Sequence, residues 1–264
     1  MVVLSISAVI LTSSAALSLA KVSRANDAHN QLQRKWATRT SRNCAFKSIY
    51  KNFLFRNSKV EMFASRFELA GLKVLLLQTD EQSKVNINTL AQYNSTGNLQ
   101  LRVNKLLVQN FMPVQSKLTP VEIGTPYQSL DQIFKGEPAD YINEQTMRTA
   151  ADNITCWGDG QLNFKSASVS AMEALLGEIL SVNEIKKISA YGQANPNATV
   201  SQALNSAQVD EEKAQLASQY LTDDSNCFGV WVIVQAASRK YYSFHVCQTA
   251  KDGSIKRKWG TTWP

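Results

Sequence analysis

No lysine, arginine, aspartate or glutamate occurs in residues 1–20, MVVLSISAVILTSSAALSLA. Twenty uncharged residues in a helix reach about 30 Å, the thickness of a bilayer's hydrocarbon core. This absence argues against a fully soluble cytosolic enzyme. From residue 21 to 59 the missing sign is negative: ten Lys or Arg accompany a single acid, Asp27. That surplus exceeds the net +7 of the whole chain, so the remainder is slightly acidic to neutral. The local basic excess suits anionic headgroups beside a membrane. Nucleic-acid binding lacks support, because no zinc-finger spacing or RNA-binding aromatic motif is present. Gly-x-Ser-x-Gly, a Gly-rich phosphate loop and His-Glu-x-x-His are all missing, so no enzyme is expected. With two histidines, His29 and His245, and no Cys-x-x-Cys, a zinc site is not expected either.

Three readings of the N-terminus compete. A cleaved signal peptide needs basic residues before its apolar stretch, and none precede this one. A simple membrane anchor fits the length, but the positive-inside rule would put the 21–59 side in the cytoplasm. A prepilin-type helix, its basic leader missing from this sequence, would sit in the membrane first and pack within a filament later. Ser5, Ser7, Thr12, Ser13, Ser14 and Ser18 dilute the apolar run. Such residues are tolerated within a span and suit helix-on-helix packing. Residues 21–58 contain no Gly or Pro, which predicts one continuous helix through both halves. Leu32, Trp36, Ile49 and Phe53 are its expected apolar face, packed on the domain that follows.

Residues 59–89 read as strands: KVEMFASRFEL, GLKVLLLQTDE and KVNINTL. Residues 90–225 read as helical, with candidates at 98–111, 129–134, 139–150, 168–190 and 201–221 and with Ser168 as a cap. CFGVWVIVQA and KYYSFHVCQT read as a hairpin followed by a basic, aromatic tail. The expected fold is α+β. A transmembrane half-helix (1–20) and an amphipathic half (21–58) pack on one antiparallel sheet (59–89 with 226–264), interrupted by a helical insertion (90–225).

Four cysteines outside the cytoplasm suggest disulfides among Cys44, Cys156, Cys227 and Cys247. Cys227 and Cys247, flanking the hairpin, are the best-placed pair. Asp223 and Asp224, with backbone oxygens, are candidate calcium ligands. Asp210, Glu211 and Glu212 read as a solvated helix face, and His245 as an ordinary strand residue.

One internal echo stands out. KVNINTL at 84–90 and QLNFKSA at 161–167 share an apolar–Asn–apolar–polar–Ser/Thr pattern ahead of a helix, and CWGDGQLNF adds a Gly-Asp-Gly turn. With SLDQIF between them and YLTDDSNCFGVWVIVQAASRKYYSFHV at the end, this order resembles the K-type minor pseudopilin of the type II secretion system, general secretion pathway protein K. Lys165, Ser168 and Leu176 depart from that family's pattern.

The resemblance implies a pseudopilin fold and no catalytic, cofactor or metal residues beyond the calcium candidates. It implies an inner-membrane, single-pass protein whose folded domain lies in the periplasm. Its implied role is capping the tip of the pseudopilus and helping to start its assembly. Its implied partners are the I-type and J-type minor pseudopilins, the major pseudopilin and the inner-membrane secretion platform, with no nucleic acid. Met1 and Ser5 become assembly-relevant: ordinary pilins carry Glu where Ser5 stands, and that carboxylate pairs with a neighbour's N-terminal amine. A tip subunit has no neighbour above to need it. The alternative is a membrane-anchored binding protein unrelated to secretion, acting on DNA through helix-hairpin-helix-like elements.

Overall fold

The computed structural model describes residues 2–51, 63–93, 106, 126–129, 132, 153–236, 239–250 and 254–263. Helix α1, Val2–Lys51, is one unbroken helix through the apolar and the basic segment, as the absence of Gly and Pro predicts. At about 1.5 Å per residue it is a rod of roughly 75 Å. Strands β1 (Phe63–Leu69) and β2 (Leu72–Asp80) form a hairpin closed by Ala70 and Gly71, at φ 51° and 76°. Positive φ at both turn positions matches the right-handed strand twist, and Gly71 adopts it without strain.

Beyond β2 the chain passes a short 3₁₀ turn (Glu81–Ser83), β3 (Val85–Asn86) and α2 (Ile87–Tyr93). From residue 153 it continues through β4 (Ile154–Thr155), β5 (Leu162–Asn163), α3 (Val169–Leu176), α4 (Val182–Ala194), α5 (Val200–Ser206), α6 (Glu211–Ser218) and β6 (Leu221–Thr222). Strands β7 (Cys227–Ala236), β8 (Arg239–Thr249) and β9 (Ile255–Trp263) complete it. One antiparallel sheet, ordered β1-β2-β7-β8-β9, unites the two strand groups. β2 pairs with β7 in the register Lys73↔Gln235 to Asp80↔Phe228, so the insertion leaves and re-enters at one end of the sheet.

Several expectations are corrected. KVNINTL is strand for only two residues, because the Asn86 side chain accepts from the Asn88 N–H at 2.9 Å and turns the chain into α2. The expected 168–190 helix is two helices, each with its own cap: Ser168 accepts from Ala171 N–H, and Ser181 and Glu184 form a capping box. The 201–221 helix likewise breaks between α5 and α6, where Gln208 sits at φ 59°. The C-terminal tail, within the 226–264 segment expected in the sheet, pairs with β8 as a full strand. The candidate helices at 98–111, 129–134 and 139–150 lie essentially outside the described residues.

The sheet buries both faces. One packs Leu72, Val74, Leu76, Val230, Val232 and Val234 under Ala37, Ala45 and Phe46 of α1. Ala37, Ser41 and Ala45, spaced i, i+4, i+8, are the buried stripe, small enough to let the helix lie close to the strands. The predicted face is corrected here. Leu32 and Trp36 are 68% and 49% exposed, and the side chains of Ile49 and Phe53 lie outside the described residues. The opposite face packs Leu77, Trp231, Phe244 and Val246 against the insertion core of Leu162, Phe164, Met172, Leu176, Ile185 and Ile188. Phe244 lies between Trp231 and Trp157, with ring centroids 4.4 and 5.2 Å away.

Candidate functional site

The direction of α1 along the sheet follows from two contacts. The Arg34 guanidinium lies 3.6 Å from the Tyr241 ring centroid. Arg42 lies near enough to His245 to help depress its pKa, after burial, to about 4. Eight helix residues and four strand residues both span about 12–13 Å. Helix α1 therefore runs in the direction of β8 while lying over β2 and β7, and its N-terminal half leaves past the β7–β8 turn. Residues 11–32 of the helix are exposed, including Leu11, Leu17, Leu19 and Val22 at 57–71%. Among the described residues no helix is long and apolar enough to cross a membrane. The six Ser and Thr of the first twenty residues account for this physically. Ser5 lies in α1 with its side chain outside the described set, and Met1 lies outside the described residues.

The joint between sheet and insertion is built from buried charge. β2 ends in Asp80, and the next residues carry Glu81 and Lys84, 1%, 1% and 3% exposed. Glu81 Oε1 accepts from Lys84 Nζ and from Thr79 Oγ1, and Oε2 accepts from Thr155 Oγ1 at 2.7 Å. Asp80 Oδ1 accepts from Gln82 N–H at 2.9 Å, and Oδ2 accepts from Ser166 Oγ and Ser225 Oγ at 2.9 and 2.6 Å. Burial raises the Asp80 pKa above 3.8 despite those three donors. Gly229 makes room for this joint: a Cβ there would stand 2.5 Å from both Glu81 Oε1 and Thr79 Oγ1. Beside it, Asn226 Nδ2 and Gln248 Nε2 donate to the Asp159 carboxylate. Sequence reading missed this joint, since DEQSK after an apolar strand has the composition of a solvated turn.

The internal echo is a repeated structural unit. β3 pairs in parallel with β4 (Asn86↔Thr155) and β5 with β6 (Asn163↔Thr222). In both, an Asn Oδ1 accepts from the N–H two residues on, Asn88 in one and Lys165 in the other. In both, its Nδ2 ties the next turn, reaching Trp157 C=O and Ser225 Oγ. The Gly-Asp-Gly turn adds a second tie, Thr89 Oγ1 donating to Gly160 C=O at 3.2 Å. The repeat thus orders two strand-to-helix corners around one core.

The cysteine expectation is corrected. All four thiols are free, with Cys44 exposed and the other three buried. The register pairs Cys227 with Gln248 and Phe228 with Cys247, so Cys227 and Cys247 point to opposite faces of the sheet and do not pair. Burial pushes the Cys247 pKa up to about 12 and raises that of Cys227 well above the ordinary thiol value. Asp223 and Asp224 lie in the bend after β6, and among the described residues no group of three His, Cys, Asp or Glu is placed to hold a metal. Asp210, Glu211 and Glu212 are exposed at the start of α6. His245 is a buried strand residue on the α1 side of the sheet.

A long N-terminal helix on an antiparallel sheet interrupted by a helical insertion is a pseudopilin-like α+β fold. A similar solved structure is that of the GspK-GspI-GspJ complex of the type 2 secretion system from enterotoxigenic Escherichia coli. A chain of that complex matches with a TM-score of 0.54 and 14% identity over 91% of this chain and 99% of its own. No known protein family matches the sequence, and no curated protein does.

Proposed function

We propose that this chain is a minor pseudopilin of a type II secretion system, of the K type, capping the tip of the periplasmic pseudopilus and helping to start its assembly. The observation that carries the reading is α1. Its C-terminal part is seated on the sheet by Ala37, Ser41 and Ala45, while Leu11, Leu17, Leu19, Val22, Leu32 and Trp36 remain exposed. Apolar side chains left in water along a projecting helix call for partner helices or lipid. In this reading residues 1–20 reside in the inner membrane before assembly, with the folded domain in the periplasm. I-type and J-type minor pseudopilins, the major pseudopilin and the secretion platform are the partners. The small hydroxyl residues that weaken a solitary span suit close helix packing.

Ser5 supports the tip position, because it offers no carboxylate to a neighbouring amine. The insertion supports it as well, being a bulky block at the end of the sheet opposite the projecting helix. No reaction is assigned to the chain. Phosphate binding by the insertion is disfavoured by charge, since residues 153–225 carry four lysines, no arginine and nine carboxylates. The test of position is cross-linking in assembled pseudopili. Adducts confined to one filament end support the tip role, and adducts distributed along the filament refute it.

A further inference from the structure

At the end of the sheet where α1 projects, the face turned away from α1 holds an open groove of about 450 Å³, a size in the range of ligand sites. The strand register explains its chemistry. Arg66, Leu75, Ile233 and Tyr242 stand in one row across four strands, and Glu68, Lys73, Gln235 and Lys240 in the next. Leu75, Ile233 and Tyr242 thus form an apolar floor, with Leu75 and Tyr242 only half-buried. Lys73 and Lys240 are exposed at its rim, and among the described lining residues the one carboxylate is Glu68, which faces Lys73 across the hairpin. From β1 to β8 the row spans about 14 Å, the length of four or five extended residues.

The geometry points to a docking site for a short acidic segment of a partner protein, anchored by an apolar side chain on the floor, with carboxylates meeting Lys73 on β2 and Lys240 on β8, which stand two strands apart with Gln235 between them. Charge complementarity selects the acidic partner. An anionic bilayer is the weaker occupant. From Lys21 to Arg34, where α1 meets the sheet, the helix spans about 20 Å, and surface charge is screened within about 8 Å at physiological salt. The inference stands on the groove and does not depend on filament assembly; only the argument against a bilayer rests on the proposed membrane position of residues 1–20.

The test uses the full chain in detergent and a fluorescein-labelled heptapeptide, Glu-Asp-Leu-Phe-Leu-Asp-Glu, read by anisotropy. Its counterpart with Lys at every acidic position and vesicles containing phosphatidylglycerol run alongside. The acidic peptide is expected to bind, with affinity falling as salt rises and by about tenfold or more in Lys73→Glu/Lys240→Glu. Lys73→Gln/Lys240→Gln gives a smaller loss in the same direction and serves if charge reversal unfolds the protein. Failure of the acidic peptide to bind overturns the inference. So does equal affinity in both variants, equal binding of the Lys peptide, or lysine-dependent binding of vesicles without the peptide.

Discussion

Lys84 is 3% exposed and its ammonium is paired with the Glu81 carboxylate, so the pair is best understood by removing one member. Glu81→Gln leaves a buried positive charge uncompensated, a change that costs about 3–5 kcal/mol. Urea unfolding should report that loss, and Glu81→Gln/Lys84→Met should recover much of it. The pair then serves to fix how the insertion meets the sheet more than to add stability. Two other buried groups give opposite pH signatures. His245 titrates near 4 when folded against 6.5 ordinarily, so the unfolded chain takes up its proton first as pH falls. The stability this residue provides is complete above pH 6.5 and is lost between 6.5 and about 4, by about 3 kcal/mol. His245→Gln should flatten that part of the pH–stability curve. Asp80, raised by burial, works the other way: the folded state holds its proton more tightly, so acidification through its folded pKa relieves a destabilisation. Asp80→Asn should remove that relief.

At the scale of elements, α1 has two faces with different purposes. Ala45 is 2% exposed against the strands, and Ala45→Leu should overpack that seam at about 1–3 kcal/mol, read as a lower unfolding midpoint. Leu32 and Trp36 face solvent, so Leu32→Ser/Trp36→Ser should move the stability of the isolated protein by less than about 0.5 kcal/mol. The same double substitution should weaken co-assembly measurably in pull-down. Equal destabilisation by both changes would show that the faces are misassigned. The helix itself was legible in sequence, because fifty residues without Gly or Pro leave little else to form. Its buried face was not. Small residues carry no hydrophobic signature, so Ala37, Ser41 and Ala45 were passed over for the larger Leu32 and Trp36. The two breaks at Gly177–Leu180 and Ala207–Asp210 were hidden for a related reason. Apolar spacing continues across them, and the interruption is made by caps such as Ser181 with Glu184.

For the whole molecule, the sequence pattern revealed the order of parts: helix, hairpin, insertion, hairpin. β-branched and aromatic runs marked β2, β7 and β8, and their joining into one sheet followed from economy of topology, now seen in the β2–β7 register. The repeated Asn motif pointed to two similar corners, and both exist. The buried joint of Asp80, Glu81 and Lys84 was not legible, because charge at a strand end implies water unless tertiary structure supplies Thr155, Ser166 and Ser225 from far along the chain. The groove was equally invisible, since Lys73 and Lys240 come onto one face, on either side of Gln235, only through strand pairing. What the described parts amount to is a sheet with one projecting helix whose apolar side chains are exposed and a helical block at the opposite end.

The most direct measurement is co-purification of the full chain expressed with I-type and J-type minor pseudopilins of the same secretion system. The proposed role predicts a stable complex containing all three in equal amounts, weakened by Leu32→Ser/Trp36→Ser. A chain that elutes alone while the other two are present and folded would contradict it.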